Sequence, residues 1–155
     1  RALHHRLVEM IEPKAAGYSI RLEHEPPEEG LDLFADTEQI LNALHNILDN
    51  AVEACLADPH KEEGSHVIWL RFRAESEEWA TCVIEDNGVG MDRETREKMF
   101  TLFFSTKGNR GTGLGMFIAG QTVERHGGCI QVESEPGRGS RVTVWLPRAG
   151  ESVSR

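Results

Sequence analysis

Long apolar runs are missing from this 155-residue chain: nowhere do about 18 hydrophobic residues follow one another, which argues against a membrane-spanning helix. The opening Arg1-Ala2-Leu3-His4-His5 lacks the apolar core of a secretory signal, and the absence of a starting Met points to a fragment of a longer, cytoplasmic or membrane-anchored parent. Basic charge is scarce as well. Seventeen Lys and Arg stand against 26 Asp and Glu, for a net charge of -9. Nucleic-acid binding draws its affinity from clustered cations, so no nucleic-acid partner is expected. Only three cysteines occur, Cys55, Cys82 and Cys129, without Cys-x-x-Cys spacing. They read as small buried hydrophobes in a reducing compartment, and neither a zinc site nor a disulfide framework is expected. The seven histidines are scattered apart from the adjacent His4-His5, and no structural metal is expected. No internal repeat or low-complexity tract is present.

The 39% of hydrophobic residues suit one compact domain, drawn here as residues 1–148 with a disordered tail at 149–155. Leu3, Leu7, Met10 and Ile11 predict a short helix running until Pro13 and Gly17. Residues 18–25 and 31–35 read as two strands paired with each other across the turn Pro26-Pro27-Glu28-Glu29-Gly30. Asp36 or Thr37 can cap the strongest helix, whose stripe is Ile40, Leu44, Ile47, Leu48, Ala51, Val52 and Cys55. An antiparallel hairpin follows over residues 66–74 and 79–85. Residues 86–115 are glycine-rich and without regular period, the pattern of a functional or mobile loop. A helix from Met116 to about Arg125 and strands near 130–134 and 141–146, joined by Pro136-Gly137-Arg138-Gly139, close the chain.

Three features carry chemistry. Asn46 and Asn50 lie four apart, hence on one helical face, although asparagine disfavours helix interiors. They suit either ordinary surface positions or an oxygen ligand for Mg2+ beside nucleotide phosphates. Asp86-Asn87-Gly88-Val89-Gly90 leaves a strand; it is either a plain turn or a carboxylate placed to accept from an exocyclic amine, with glycines admitting a flat ligand. Gly111-Thr112-Gly113-Leu114-Gly115 precedes a helix, where backbone N–H groups favour phosphate. No Gly-Lys-Ser/Thr follows, so it is not a Walker loop, and no strand leads in, so it is not a Rossmann turn. Lys107 and Arg110 supply local cations. Phe100, Phe103 and Phe104 are either core or anchors of a flexible flap over 108–111.

In order and spacing these motifs resemble the GHKL superfamily of ATPases and kinases, and within it the histidine kinases, over about residues 30 to 148. Asn46 to Glu53 resembles the N box, Asp86 to Gly90 the first glycine box, Lys98 to Lys107 the F box and Gly111 to Gly115 the second glycine box. Many members of that family carry a basic residue and an aromatic where this chain has Glu53 and Ala54. The resemblance implies a Bergerat fold: an α/β (α+β) two-layer sandwich of a mixed, mostly antiparallel sheet with about three helices on one face and an ATP lid at about 92–112. It implies ATP and Mg2+ as cofactors, with Asn50 the metal ligand, Asn46 a partner near the phosphates, and Asp86, aided by Thr143 through water, reading the adenine amine. Gly88, Gly90, Met91, Phe104 and Thr106 would line the nucleotide. Lys107, Gly111, Thr112, Gly113, Leu114 and Gly115 would hold the triphosphate. Asn46, Asn50 and Lys107 are the expected catalytic residues.

The superfamily's ATPases and serine-kinase anti-sigma factors have Glu four residues before the metal Asn, where this chain has Asn46. Water and serine benefit from a base there. Neutral imidazole already owns a nucleophilic lone pair, which favours the histidine kinases. Family acceptor histidines sit on a helix before an acidic residue. His4 precedes His5, His5 precedes Arg6, and His24-Glu25 lies in a predicted strand, so the acceptor is expected on a separate dimerisation and phosphotransfer helix domain, with a response regulator downstream. Alternatives are a GHKL ATPase, a serine-kinase anti-sigma factor, and a nucleotide sensor without catalysis.

Overall fold

A computed structural model of the chain describes residues 2–59, 62, 64–98 and 114–149. Its central element is the helix that the apolar stripe predicts, α2, Thr37–Leu56. Asp36 is its N-cap, with an extended backbone and a side chain that accepts from the Gln39 amide at 3.2 Å. The stripe is buried along its whole length, from Ile40 to Cys55.

The sheet beneath holds five strands: β1 (Arg21–His24), β2 (Val67–Ala74), β3 (Trp79–Asp86), β4 (Cys129–Glu135) and β5 (Gly139–Pro147), in the order β1-β2-β3-β5-β4. Only β1 and β2 run parallel; the other three pairings are antiparallel. Because side chains alternate along a strand, Ile68, Leu70, Cys82, Ile84, Val142, Val144 and Leu146 all enter the core from one face. Among the described residues three helices cover that face: α1 (Ala2–Gly17) on β1 and α2, α2 on β2, β3 and β5, and α4 (Leu114–Arg125) on β4, β5 and α2. The opposite face carries cross-strand pairs instead. Glu85 lies between Arg71 at 3.3 Å and Arg141 at 3.4 Å, and Trp79 meets Trp145 edge-on with ring centroids 6.5 Å apart.

The alternating pattern at residues 31–35 does not form the expected strand. Leu33 makes one isolated bridge to Arg148, Phe34 N–H donates to the Pro147 carbonyl at 3.0 Å, and β1 pairs with β2. Alternation marks a residue as half-buried but does not name its partner, and here the end of β5 takes that place. The first helix runs through Pro13 and ends at Gly17, the later of its two expected stops. Its buried row is His4, Leu7, Ile11 and Ala15, while Met10 is 40% exposed. Packing of that row against α2 outweighs the hydrogen bond lost at proline. Burial and the neighbouring His24 ring, 3.2 Å away, hold His4 below the usual histidine range.

Cys55 and Cys82 are buried, and burial pushes the Cys82 thiol far up. Cys129 corrects the expectation of three buried thiols, because it starts the edge strand β4 on the side away from the helices and is exposed. A thiol reagent is therefore expected to modify Cys129 alone in the native chain and all three cysteines after denaturation. Fast native labelling of Cys82, read by peptide mass, would contradict this packing.

Candidate nucleotide site

Beside its buried stripe, α2 carries a second row, Asn46, Asn50 and Ala54, each four residues on and each half-exposed. Other elements close both ends of this row. At one end the start of α4 comes so near that a Cβ on Gly115 would lie 3.6 Å from Asn46 Cγ and Oδ1. At the other, Val89 N–H donates to the Ala54 carbonyl at 3.0 Å, and a Cβ on Gly88 would stand 2.5 Å from the Ala54 carbonyl carbon. Eight residues of helix span about 12 Å. Asn50 occupies the middle of that span, between the first turn of α4 and the Asp86–Gly90 turn. Any residue but glycine at 88 would force the turn off the helix.

Asp86 ends β3 on the helix-covered face and is 6% exposed. Its Oδ1 accepts the Gly88 N–H at 2.8 Å, which folds the chain back into the turn. Asn87 serves the neighbouring strand: its Oδ1 accepts from Val67 N–H at 2.8 Å and its Nδ2 donates to the Ser65 carbonyl at 3.1 Å. Gly90 has φ +72, and a Cβ there would lie 2.0 Å from the Glu135 carbonyl oxygen. Met91 N–H donates to Ser134 Oγ at 2.8 Å.

The register moves one expected contact. Asp86 is paired with Ser140, whereas Thr143 is paired with Val83 and Gln131. Thr143 is three residues from Ser140, an odd step along β5, so its side chain leaves by the face away from the helices. It does not share a face with Asp86, and Ser140, only 8% exposed, does. Residue parity alone cannot reveal this, because the pairing of β3 with β5 joins segments more than fifty residues apart.

A second element escaped the sequence reading. Asp92 opens α3 (Arg93–Lys98) by accepting the Thr95 N–H at 2.8 Å. These hydrogen bonds from Thr95 hold the Asp92 carboxyl below the usual carboxylate range. The signal was an Asp placed for an N-cap, hidden inside a glycine-rich stretch. Arg96 on α3 reaches the Ser134 carbonyl at 3.4 Å. Phe104, Thr106, Lys107, Gly111, Thr112 and Gly113 lie outside the described residues, and of Leu114 only the helical backbone is described.

The sequence profile of the family described as histidine kinase-, DNA gyrase B-, and HSP90-like ATPase matches residues 35–150. The methanogenesis regulatory histidine kinase FilI of Methanothrix harundinacea is 39% identical over 113 residues, covering 72% of this chain and 12% of FilI. The sensor histidine kinase ZraS of Escherichia coli K12 is 34% identical over 116 residues, 75% of this chain and 23% of ZraS. The chain thus spans less than a quarter of either relative. Among solved structures, the catalytic domain of histidine kinase ThkA superposes with a TM-score of 0.79 at 28% identity, covering 95% of this chain and 91% of that domain. Profile, relatives and superposed fold concur: the relatives are sensor histidine kinases, the superposed structure is a histidine kinase catalytic domain, and this chain belongs to the histidine kinase-, DNA gyrase B-, and HSP90-like ATPase family.

Proposed function

We propose that this domain binds Mg-ATP and transfers its γ-phosphoryl group to a histidine on a separate helical domain of its parent protein, for relay to a response regulator. The observation that carries the reading is the row Asn46, Asn50 and Ala54, bounded by Gly115 at one end and Gly88 at the other. Purine would lie toward Asp86 and phosphate toward α4.

The first turn of α4 would turn free backbone N–H groups and the positive helix end toward the phosphates, with Lys107 and Thr112 adding donors. The donor set fits magnesium: neutral amide oxygens on one helical row suit a hard cation that keeps water and phosphate oxygens as its other ligands, and Asn50 would hold it. When bound, the ion offsets the charge that spreads over the phosphoryl oxygens during transfer. The bond from γ-phosphorus to the β–γ bridging oxygen breaks, leaving ADP, while a bond to the imidazole nitrogen forms. No base is required on the α2 row, since neutral imidazole attacks with its own lone pair. Asn46 would serve as a polar neighbour of the phosphates, and the domain contributes positioning and charge stabilisation.

The test supplies the chain with Mg-ATP and a dimerisation helix domain from a sensor histidine kinase. Acid-labile phosphate on that helix domain, and none on the chain itself, is the expected result. Steady ADP release without any acceptor, or transfer to serine, would replace this reading with an ATPase or an anti-sigma kinase. Asn50→Ala is expected to bind ATP equally with and without magnesium, while the unaltered chain binds it more tightly with the ion. Retained magnesium dependence in the variant would remove Asn50 as the ligand.

A further inference from the structure

Ser134, near the end of β4, is a four-way junction that the nucleotide reading does not use. Its Oγ accepts from Met91 N–H at 2.8 Å, donates to the Gly139 carbonyl at 3.0 Å and lies 2.8 Å from Ser140 Oγ. Its own carbonyl receives Arg96 Nη1 at 3.4 Å.

The proton count settles which hydroxyl donates. A serine hydroxyl has one proton and two acceptor positions. A carbonyl only accepts, so the Ser134 proton goes to Gly139. The Met91 amide fills one of the two acceptor positions on Ser134, and the other takes the Ser140 proton. Ser140 therefore has no proton left to give and offers lone pairs alone. It is the cross-strand partner of Asp86, whose side chain shares its face at the usual separation of about 5 Å. A carboxylate has about four acceptor positions, so the Gly88 amide bond is compatible with a further N–H. Both side chains at this end of the site then present acceptors.

We propose that Ser134 is a specificity-determining positioning residue: by taking the Ser140 proton it fixes Ser140 as an acceptor beside Asp86, which selects a purine with an exocyclic amine at C6 over one without it. The inference rests on the nucleotide site described above. It assigns the choice of base to a residue that need not touch the ligand.

The test compares binding of Mg-ATP with that of magnesium purine riboside triphosphate, which carries hydrogen at C6, by titration calorimetry on the whole chain. Ser134→Ala leaves Ser140 free to turn its proton toward the ligand. It is expected to weaken ATP binding about three- to tenfold and to change the 6-hydrogen analogue less than about twofold. Ser134→Thr keeps the hydroxyl and should restore the preference. Ser140→Ala removes the acceptor altogether without touching the Met91 or Gly139 bonds, so it should lower the preference at least as far as Ser134→Ala does, and the double variant should lower it no further than Ser140→Ala alone. An equal loss for both nucleotides in Ser134→Ala would mean that the junction only holds the turn, and would overturn the proposal. Binding of neither nucleotide by the unaltered chain would overturn the nucleotide site itself, and this inference with it. An unaltered chain that prefers ATP, beside a Ser134→Ala chain with the same preference, overturns the role of Ser134 alone.

Discussion

Asp86→Asn is expected to weaken ATP binding by about ten- to a hundredfold, in line with the roughly 1.5–3 kcal/mol of a hydrogen bond to a charged group. The change is small in shape. Asparagine retains a carbonyl oxygen where Asp86 Oδ1 accepts the Gly88 N–H at 2.8 Å, so the turn keeps its anchor. The second position changes from oxygen to NH2, an acceptor replaced by a donor that meets the donor face of the adenine amine. Inosine triphosphate carries an oxygen at C6 and presents an acceptor there, so the variant should lose far less affinity for it. The readout is the ratio of ATP to inosine triphosphate affinity, with thermal melting as the check on folding. An unchanged ratio in a folded variant would detach Asp86 from base recognition, whatever happened to total affinity.

Legibility in the sequence followed the range of the interactions. The buried stripe of α2 is local and periodic, so the helix, its start at Asp36 or Thr37 and the placing of Asn46 and Asn50 on one face could be read from spacing alone. The β2–β3 hairpin was equally local. Residues 31–35 failed because alternation reports one buried side and says nothing about the strand beyond the hydrogen bonds. Thr143 failed for the same reason. Its parity relative to Asp86 depends on how β5 docks on β3, and only the register shows that Ser140 is the residue that shares the face. The role of Ala54 was hidden too, because its contribution is the backbone carbonyl, which receives Val89 N–H and stands where a Cβ on residue 88 would have to go. Neither property has a signature in side-chain chemistry. Asp92 and α3 were masked by composition: glycine on both sides made a capped helix of only 6 residues look like more loop.

Gly139→Ala is expected to be the most damaging single methyl group in the β4–β5 hairpin, and Gly137→Ala, two residues away, a mild one. Both glycines have positive φ, +79 at Gly137 and +103 at Gly139. An L side chain in such a conformation costs about 1–2 kcal/mol near the left-handed helical region and more outside it. Surroundings separate the two. Nothing lies within 4 Å of a Cβ on Gly137, whereas a Cβ on Gly139 would stand 2.0 Å from the Asp86 carbonyl oxygen and 2.8 Å from Asn87 Cα. Those are backbone atoms at the end of β3, so relief requires separating β5 from β3 where Asp86 pairs with Ser140. Adding that displacement to the torsional cost brings the loss above about 3 kcal/mol, a large part of the 5–15 kcal/mol typical of a whole domain. At about 2–4 °C per kcal/mol for a chain of this size, Gly137→Ala should melt about 2–8 °C below the unaltered protein, and Gly139→Ala about 10 °C below or fail to fold. Near-equal melting temperatures for the two variants would show that β5 does not approach Asp86 so closely. The pairing that sets Ser140 beside Asp86 would then be wrong, and with it the geometry assigned to the base-reading end of the site.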